Sequence, residues 1–387
     1  MIEELLQLFK NTYGKTAEVF SQAPGRLEIL GNHTDYNEGF VLSMAVDSYT
    51  YLALRKTEGD HCKIISPNLE KKVRLFSLND LSDHASNDDW LNYIKGTLRE
   101  FQKRDYPLPN FEAAILSTIP LSAGMSSSAS LEMALVKGLC RLINLEINTS
   151  EMAKIGQGCE NNYIGANTGL MDQFTSLAGQ KDCFVLSEYR NFTLKTVPIP
   201  EGISLVVFNS GIKHDLSVEY NERRKQCDEA VKILKKVIPN ILSLRDVSLE
   251  QLKNNTSHFH EDVYKRALHI VEENDRVHKA LTYLENKDLT SFGKLLYDSH
   301  ESSIHNFENS CDELNFLVAF AKNSPLCLGS RLSGSGFGGI SIHLIESHHS
   351  EEYQHLVQSS FKNKYGYLPD SIICQSSQGA FSKNLNL

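Results

Sequence analysis

The 387-residue sequence contains no run of about 20 uninterrupted apolar residues, the length a helix needs to cross a bilayer, so a membrane span is not expected. Its opening, Met1-Ile2-Glu3-Glu4-Leu5-Leu6, has neither the cationic start nor the apolar block of a secretory signal. No Cys-x-x-Cys pair occurs among the eight scattered cysteines, which argues against a disulfide framework. Most sit in apolar runs such as Cys183-Phe184-Val185-Leu186, where a reduced thiol behaves as a small hydrophobe. A cytoplasmic protein is expected. Cations are in deficit, 39 against 48 acidic residues, a net charge of −9 with histidine neutral. Such a chain is a poor ligand for nucleic acid, although anionic small molecules can still bind through local N–H groups. Internal repeats and low-complexity linkers are also missing.

The composition is that of a globular protein, 41% apolar and 22% charged. At ~150 residues per domain the length implies two or three domains, with more than one buried core. Short β-like runs (Phe40 to Ala45, Thr50 to Ala53, Phe111 to Ile119, Ile203 to Phe208, Ile340 to Ile345) alternate with helical patterns. The clearest helix runs from about Ser130 to Leu142. Leu131, Ala134, Leu135, Gly138, Leu139 and Leu142 form one apolar stripe along it. A second covers Val218 to Val237, with a charged face including Arg223, Arg224 and Lys225; a third covers Leu314 to Lys322. The turn-rich Pro198-Ile199-Pro200-Glu201-Gly202 marks a boundary. The expected architecture is α+β (mixed α/β) in two lobes, residues 1–200 and 201–387.

Three clusters carry chemistry. In Ala23-Pro24-Gly25-Arg26 through Gly31-Asn32-His33-Thr34-Asp35-Tyr36-Asn37, an extended run delivers an arginine and then a turn dense in hydrogen-bonding groups. Asp35, Asn32 and His33 can grip vicinal hydroxyls there; the bland alternative is a solvated turn after an edge strand. In Ile119-Pro120-Leu121-Ser122-Ala123-Gly124-Met125-Ser126-Ser127-Ser128-Ala129-Ser130, small residues lie between a strand and the clearest helix. That order suits a phosphate, which the open N–H groups and dipole of a helix N-terminus favour. No Gly-Lys-Ser/Thr follows, so it is not a Walker loop, and a plain N-cap needs only one serine. In Gly329-Ser330-Arg331-Leu332-Ser333-Gly334-Ser335-Gly336-Phe337-Gly338-Gly339 the glycines precede a strand, the wrong order for a dinucleotide turn. A flap over substrate is one reading, a tight helix-to-strand turn the other. Asp172, in Asn167-Thr168-Gly169-Leu170-Met171-Asp172-Gln173-Phe174, stands in a nearly uncharged neighbourhood.

Taken together and in order, these segments resemble the galactokinases of the GHMP small-molecule kinase superfamily. Pro24-Gly25-Arg26 through Asp35-Tyr36-Asn37 is similar to their N-terminal signature, Gly124 to Ser130 to the phosphate loop, and Arg331 to Gly339 to the C-terminal glycine motif. Gly169-Leu170-Met171-Asp172-Gln173 is similar to the segment of the catalytic aspartate. The resemblance implies a two-lobed kinase, with its site in the cleft, moving the ATP γ-phosphoryl group to the anomeric hydroxyl of a sugar. On it, Asp172 is the base and Arg26 its partner; Asn32, His33, Asp35, Gly169 and Tyr220 line the sugar pocket. Pro120, Ser122, Ala123, Gly124, Met125, Ser126, Ser127, Ser128 and Ala129 hold ATP, with Trp90 and Tyr93 towards the adenine. Ser127 or Ser128, with Glu160, holds Mg²⁺, and Gly334, Gly336 and Gly338 form the flap.

The sequence departs from that pattern at several places. Asn32 stands where galactokinases have glutamate, Glu28 where they have asparagine, and Ser43 where proline is usual; Ser122, Met125 and Ser335 replace glycine, leucine and glycine. The matching glutamate lies near the sugar's C6 hydroxyl. Galactose is still expected, because His33, Asp35, Gly169 and Tyr220 match and asparagine can also hydrogen-bond a C6 hydroxyl. Galacturonate, 6-deoxygalactose, arabinose and N-acetylgalactosamine are the alternatives that Asn32 raises. A non-catalytic sugar sensor is disfavoured by the intact serine loop and Asp172. A mevalonate- or homoserine-type kinase is disfavoured by His33-Thr34-Asp35-Tyr36-Asn37. A metal hydrolase built on His258-Phe259-His260-Glu261 or His348-His349 is disfavoured by their charged surroundings. The expected partners are a sugar and ATP, bound by a monomer.

Overall fold

The computed structural model describes residues 1–82, 89–120, 124–212 and 216–385, so Ser122 and Ala123 of the phosphate loop lie outside the described residues. Among these, an eight-stranded sheet contains β1 (Val19–Leu30), β2 (Phe40–Lys56), β3 (Cys62–Ser66), β4 (Glu70–Phe76), β5 (Phe111–Ser117), β6 (Cys183–Glu188) and β7 (Thr193–Pro198). A four-stranded sheet contains β8 (Ile203–Asn209), β9 (Cys327–Ser333), β10 (Ile340–Glu346) and β11 (Ser371–Cys374), in the order β11-β8-β10-β9. The last strand, β12 (Phe381–Asn384), returns to the larger sheet and pairs with β1. The larger sheet runs β12-β1-β2-β5-β3-β4, with β6 and β7 hung on the first half of β2. Helices and sheets pack together as the mixed α/β pattern implied.

The runs at Phe40 and Thr50 form one strand rather than two. β1 pairs along nearly all of β2, while β2's other edge passes from β6 at Phe40–Ser43 to β5 at Thr50–Lys56. Register shifts between Pro24 and Arg26 and between Glu28 and Leu30 bend β1, as bulges do, and re-aim the side chains that follow. Gly25 is required at the first, because a Cβ there would lie 2.7 Å from the Met125 carbonyl oxygen. β12 covers β1 only at Val19–Gln22, but Asn32, His33 and Thr34 after β1 are buried, so this is no solvated turn.

The helix expected from Ser130 begins at Ser127 and ends at Leu142. Its predicted stripe is buried, but so are Glu132, Met133, Val136 and Cys140 on other faces. The helix lies between the sheet and the helices Leu91–Gln102, Thr149–Gly158 and Met171–Ala178, so most of its faces are covered, with Arg141 left exposed. The second expected helix spans Leu216–Leu234 and the third Asp312–Asn323. Arg223 does not belong to a solvated face. It is buried, with Nε donating to the Phe307 carbonyl (2.7 Å) and its guanidinium over the Phe337 ring. One core joins the two sheets: Leu27 and Ile29 of β1 and Leu42 of β2 pack with Val277, Phe292, Ile340 and Ile342. That shared core fixes the cleft in which the functional side chains meet. All eight cysteines are unpaired.

Candidate active site

At the centre Arg26 faces Asp172, 146 residues away in the chain. Its Nε donates to Oδ1 (2.7 Å) and Nη2 to Oδ2 (2.8 Å), a two-pronged ion pair, while Nη1 donates to the Gly124 carbonyl (2.8 Å). The planar fork thus ties the Asp172 segment to the serine-rich loop at Gly124 in one step. Asp172 sits in the first turn of the helix Met171–Ala178 and caps nothing. Ser126, at the head of the Ser127–Leu142 helix, has left-handed backbone angles (φ 54°) that turn its hydroxyl onto Asp172 Oδ2. That hydroxyl makes no cap bond, so the first-turn N–H groups of the helix have no side-chain cap.

Beside this pair lies Glu160, on the π-helical turn Cys159–Ile164, a local distortion that recurs at functional sites. It accepts from Ser128 Oγ (3.3 Å) and from Thr168 Oγ1. Burial first, then the charge of Asp172, raises its carboxyl from 4.5 to about 7. Glu132, wholly buried and bonded to Gln173 Nε2 (3.2 Å), is pushed well up by burial and by Glu160. Glu160, Ser128 and Thr168 thus bring oxygen atoms together at the cavity wall, the ligand type a hard divalent cation takes. Of the two candidate serines, Ser128 is the one bonded to Glu160. Thr168 and Glu132 were missed by the sequence reading; Thr168 adjoins the Gly169 motif, whereas Glu132 is hidden in an ordinary helical pattern.

On the other side of Asp172, Asp35, Gly169, His33, Tyr220, Asn32 and Glu28 line the same cavity of about 620 Å³. Asp35 opens a short 3₁₀ turn, Asp35–Asn37, and burial raises its carboxyl from 3.8 to about 6 against the opposing Tyr36 N–H. A Cβ on Gly169 would fall on the Asp35 carboxylate, so this wall exists only with glycine there. His33 is pushed down to about 4 by burial and is neutral. Its Nε2 donates to the Ser335 carbonyl (3.0 Å), which can only accept, leaving Nδ1 to accept from Tyr36 Oη (3.0 Å). Tyr220 packs on His33, ring centroids 5.2 Å apart. The glycine segment is the connection of the β9–β10 hairpin rather than a helix-to-strand turn, because Cys327–Ser333 is itself a strand. It is pinned rather than free: Asn32 Nδ2 holds the Gly334 carbonyl (2.8 Å), and His33 and Asn309 Nδ2 (2.9 Å) hold that of Ser335. Gly334 borders the cavity, whereas Gly336 lies against Asn309 and Gly338 against Ile212.

A second cavity of about 470 Å³ is lined by Trp90, Tyr93, Pro120, Ser127 and Ser128; Tyr93, Ser127 and Ser128 also line the first. Two loop residues point elsewhere. The Met125 side chain is buried among Leu27, Ile29 and Ile119, and that of Ala129 is buried in the helix it opens. The Met125 carbonyl accepts from Arg26 N of β1 (3.1 Å). Glu346, His348 and His349 bring ligand atoms within 4.8 Å of one another on an exposed turn, and none of them lines the central cavity.

The raised carboxylates have a measurable consequence. Glu28, Glu160 (both raised from 4.5 to about 7) and Asp35 (3.8 to about 6) hold a proton in the folded chain at pH values where the unfolded chain has lost it. Their contribution to stability is therefore full below pH 4 and is lost as pH rises to about 7. The unfolding midpoint of the ligand-free protein should fall across that window relative to a Glu28→Gln variant, in which the Glu28 share is gone. Parallel curves for the two proteins would contradict the assignment.

This arrangement, two sheets with a serine loop at a helix N-terminus facing an Arg–Asp pair across a cleft, is that of a GHMP-type small-molecule kinase. The GHMP kinases N terminal domain model matches residues 92–180, the GHMP kinases C terminal model residues 280–363, and the galactokinase galactose-binding signature residues 7–56. The chain is 35% identical over 377 residues to a galactokinase of Roseiflexus sp. (strain RS-1), covering 97% of this chain and 96% of that protein. It is 36% identical to one of Thermosipho africanus (strain TCF52B), covering 92% and 98%. The crystal structure of Lactococcus lactis galactokinase complexed with galactose superposes with a TM-score of 0.94 at 32% identity, covering 98% and 99%. Methanococcus jannaschii mevalonate kinase, at 18% identity and a TM-score of 0.63, shares the fold. The chain belongs to the galactokinase family and is an ATP-dependent sugar kinase.

Proposed function

We propose that the chain phosphorylates D-galactose at the anomeric C1 hydroxyl, giving galactose 1-phosphate and ADP. The observation that carries this reading is the Asp172 carboxylate, gripped by Arg26 and Ser126, between a wall of sugar-binding type (Asp35, Gly169, Tyr220) and an uncapped helix N-terminus. A sugar hydroxyl is a weak nucleophile, so the transfer needs in-line positioning, a proton acceptor and charge neutralisation. Asp35 accepts sugar hydroxyls and fixes the ring. Asp172 takes the C1 proton as the oxygen attacks phosphorus. Arg26 offsets the charge on Asp172 and on the equatorial oxygens of the moving group. The Ser127–Leu142 helix offers its N–H groups to the phosphates, and Trp90 and Tyr93 border the cavity that takes the adenine. The test is a panel of free sugars with ATP, following ADP release and locating the phosphate by NMR. Galactose should lead, with the new phosphate on C1; phosphate elsewhere, or no galactose turnover, overturns the reading.

The cation in this reading is Mg²⁺, held by Ser128 and Glu160, which would neutralise charge on the ATP phosphates. The Glu160 carboxylate, bonded to the Ser128 and Thr168 hydroxyls at the cavity wall, supports it. Glu160→Ala should shift the Mg²⁺ dependence of nucleotide binding to higher concentration while galactose binding without nucleotide stays intact. An unchanged Mg²⁺ titration rejects the role. A cytoplasmic monomer divided near residue 200 completes the proposal: β7 ends in the larger sheet at Pro198 and β8 opens the smaller at Ile203, while the chain's last strand, β12, belongs with the first lobe.

A further inference from the structure

The two departures in the sugar signature, Glu28 and Asn32, are a single exchange of a carboxylate and an amide. The side chains touch: Asn32 Nδ2 donates to Glu28 Oε1 (2.9 Å) and to the Gly334 carbonyl (2.8 Å), and Asn32 Oδ1 accepts from Asn309 Nδ2 (3.0 Å). Both amide hydrogens and the amide oxygen of Asn32 are thus committed to protein groups. Glu28 Oε1 also accepts from Arg331 Nη1 (2.9 Å), whose guanidinium is wholly buried. Glu28 Oε2 has no hydrogen-bond partner among the described residues, and Glu28 lines the cavity with Asp35 and Asp172. That oxygen is not sealed in the protein but opens to the cavity, where it is free to accept from a ligand hydroxyl.

We propose that Glu28 is the specificity-determining residue of this wall, its Oε2 accepting one sugar hydroxyl other than that on C1. Asn32 is then a positioning residue, a strut between Glu28 and the β9–β10 connection that does not touch the sugar. This rests on the galactose reading above. A charge-assisted bond from a buried carboxylate discriminates strongly, because a sugar lacking that hydroxyl leaves the charge unpaired. The same charge would repel a sugar carrying a carboxylate near it. Burial raises the Glu28 carboxyl to about 7 against Arg331, Asn32 and Arg26, so at pH 8.5 it is ionised.

The test pairs variants with substrates. kcat/KM is measured at pH 8.5 for galactose and the four monodeoxygalactoses that keep the C1 hydroxyl, with wild type, Glu28→Gln and Asn32→Ala. Glu28→Gln should lose about 10- to 100-fold with galactose, chiefly in KM. The loss should persist with three of the deoxy sugars and vanish with the fourth, which already lacks the hydroxyl that Glu28 holds. Asn32→Ala should lower all five values by a similar factor. If Glu28→Gln does not fold, Glu28→Asp, which keeps the charge but withdraws it by one methylene, should show the same selective pattern. Equal losses for all five sugars, or no loss, overturn the assignment. Absence of galactose turnover by the wild type would instead overturn the galactose reading itself, before any variant is compared.

Discussion

Replacing Asp172 by asparagine is expected to lower kcat by ~10²–10⁴, the range typical of removing a proton acceptor from a poor nucleophile. The galactose KM should change by less than about threefold, because the sugar is gripped chiefly from the Asp35 side. The substitution keeps shape but offers Arg26 one acceptor oxygen where it now has two, at 2.7 and 2.8 Å. One guanidinium N–H then faces an amide NH₂, and a modest fall in unfolding midpoint accompanies the kinetic loss. Single-turnover measurements with bound ATP and galactose separate the two effects. A slow phosphoryl-transfer step with normal galactose binding is the expected result, and near-normal turnover in a folded variant would remove Asp172 from the role of base.

Much of the framework was legible because its signals are local. The strand–small residue–helix order around Gly124 predicts an anion site from neighbouring residues alone, and the structure places an uncapped helix start there. The Arg26–Asp172 pair is different in kind: nothing in 146 residues of separation points from one to the other, and only the family resemblance brought them together. What the sequence leaves hidden clusters where tertiary contact overrides composition. Arg223 reads as solvated beside Arg224 and Lys225, yet the carbonyls of Phe307 and Glu308 recruit it inward. Met125 and Ala129 sit in a loop and helix start that read as phosphate-binding throughout, yet their side chains are buried, so only their backbone is left to face a ligand. The glycine-rich run reads as mobile, since glycine loosens a chain, yet three side chains from distant segments fasten its carbonyls. Asn32 reads as a sugar ligand from its place in the motif; it does line the cavity, but its amide also bonds Glu28 four residues away, a contact that the motif does not signal.

Gly169→Ala is expected to raise the galactose KM by about 10²-fold or more, although it adds a single methyl group. The need for glycine here is one of space rather than backbone conformation, since the residue does not lie in the left-handed region. Neither side can yield easily. The Gly169 segment is tied down by Gln157 Nε2 (3.1 Å) and Asn161 Nδ2 (3.2 Å) to the Thr168 carbonyl and by Arg224 Nη1 (2.7 Å) to that of Asn167. The turn bearing Asp35 is held by Thr34 Oγ1 to the carbonyls of Gly31 (2.8 Å) and Phe40 (2.6 Å), and by Asn37 Nδ2 to that of His33 (2.9 Å). The cheapest escape is therefore rotation of the Asp35 side chain out of the cavity, which removes a charged acceptor for the sugar while leaving the core untouched. Nucleotide binding should be normal and the unfolding midpoint close to that of the wild type. Asp35→Asn, which keeps an acceptor in place without its charge, should lose less than Gly169→Ala. Calorimetric titration with galactose in the absence of nucleotide checks both. Wild-type affinity in Gly169→Ala would mean that Asp35 does not anchor the sugar, since the methyl and the carboxylate cannot occupy the same place.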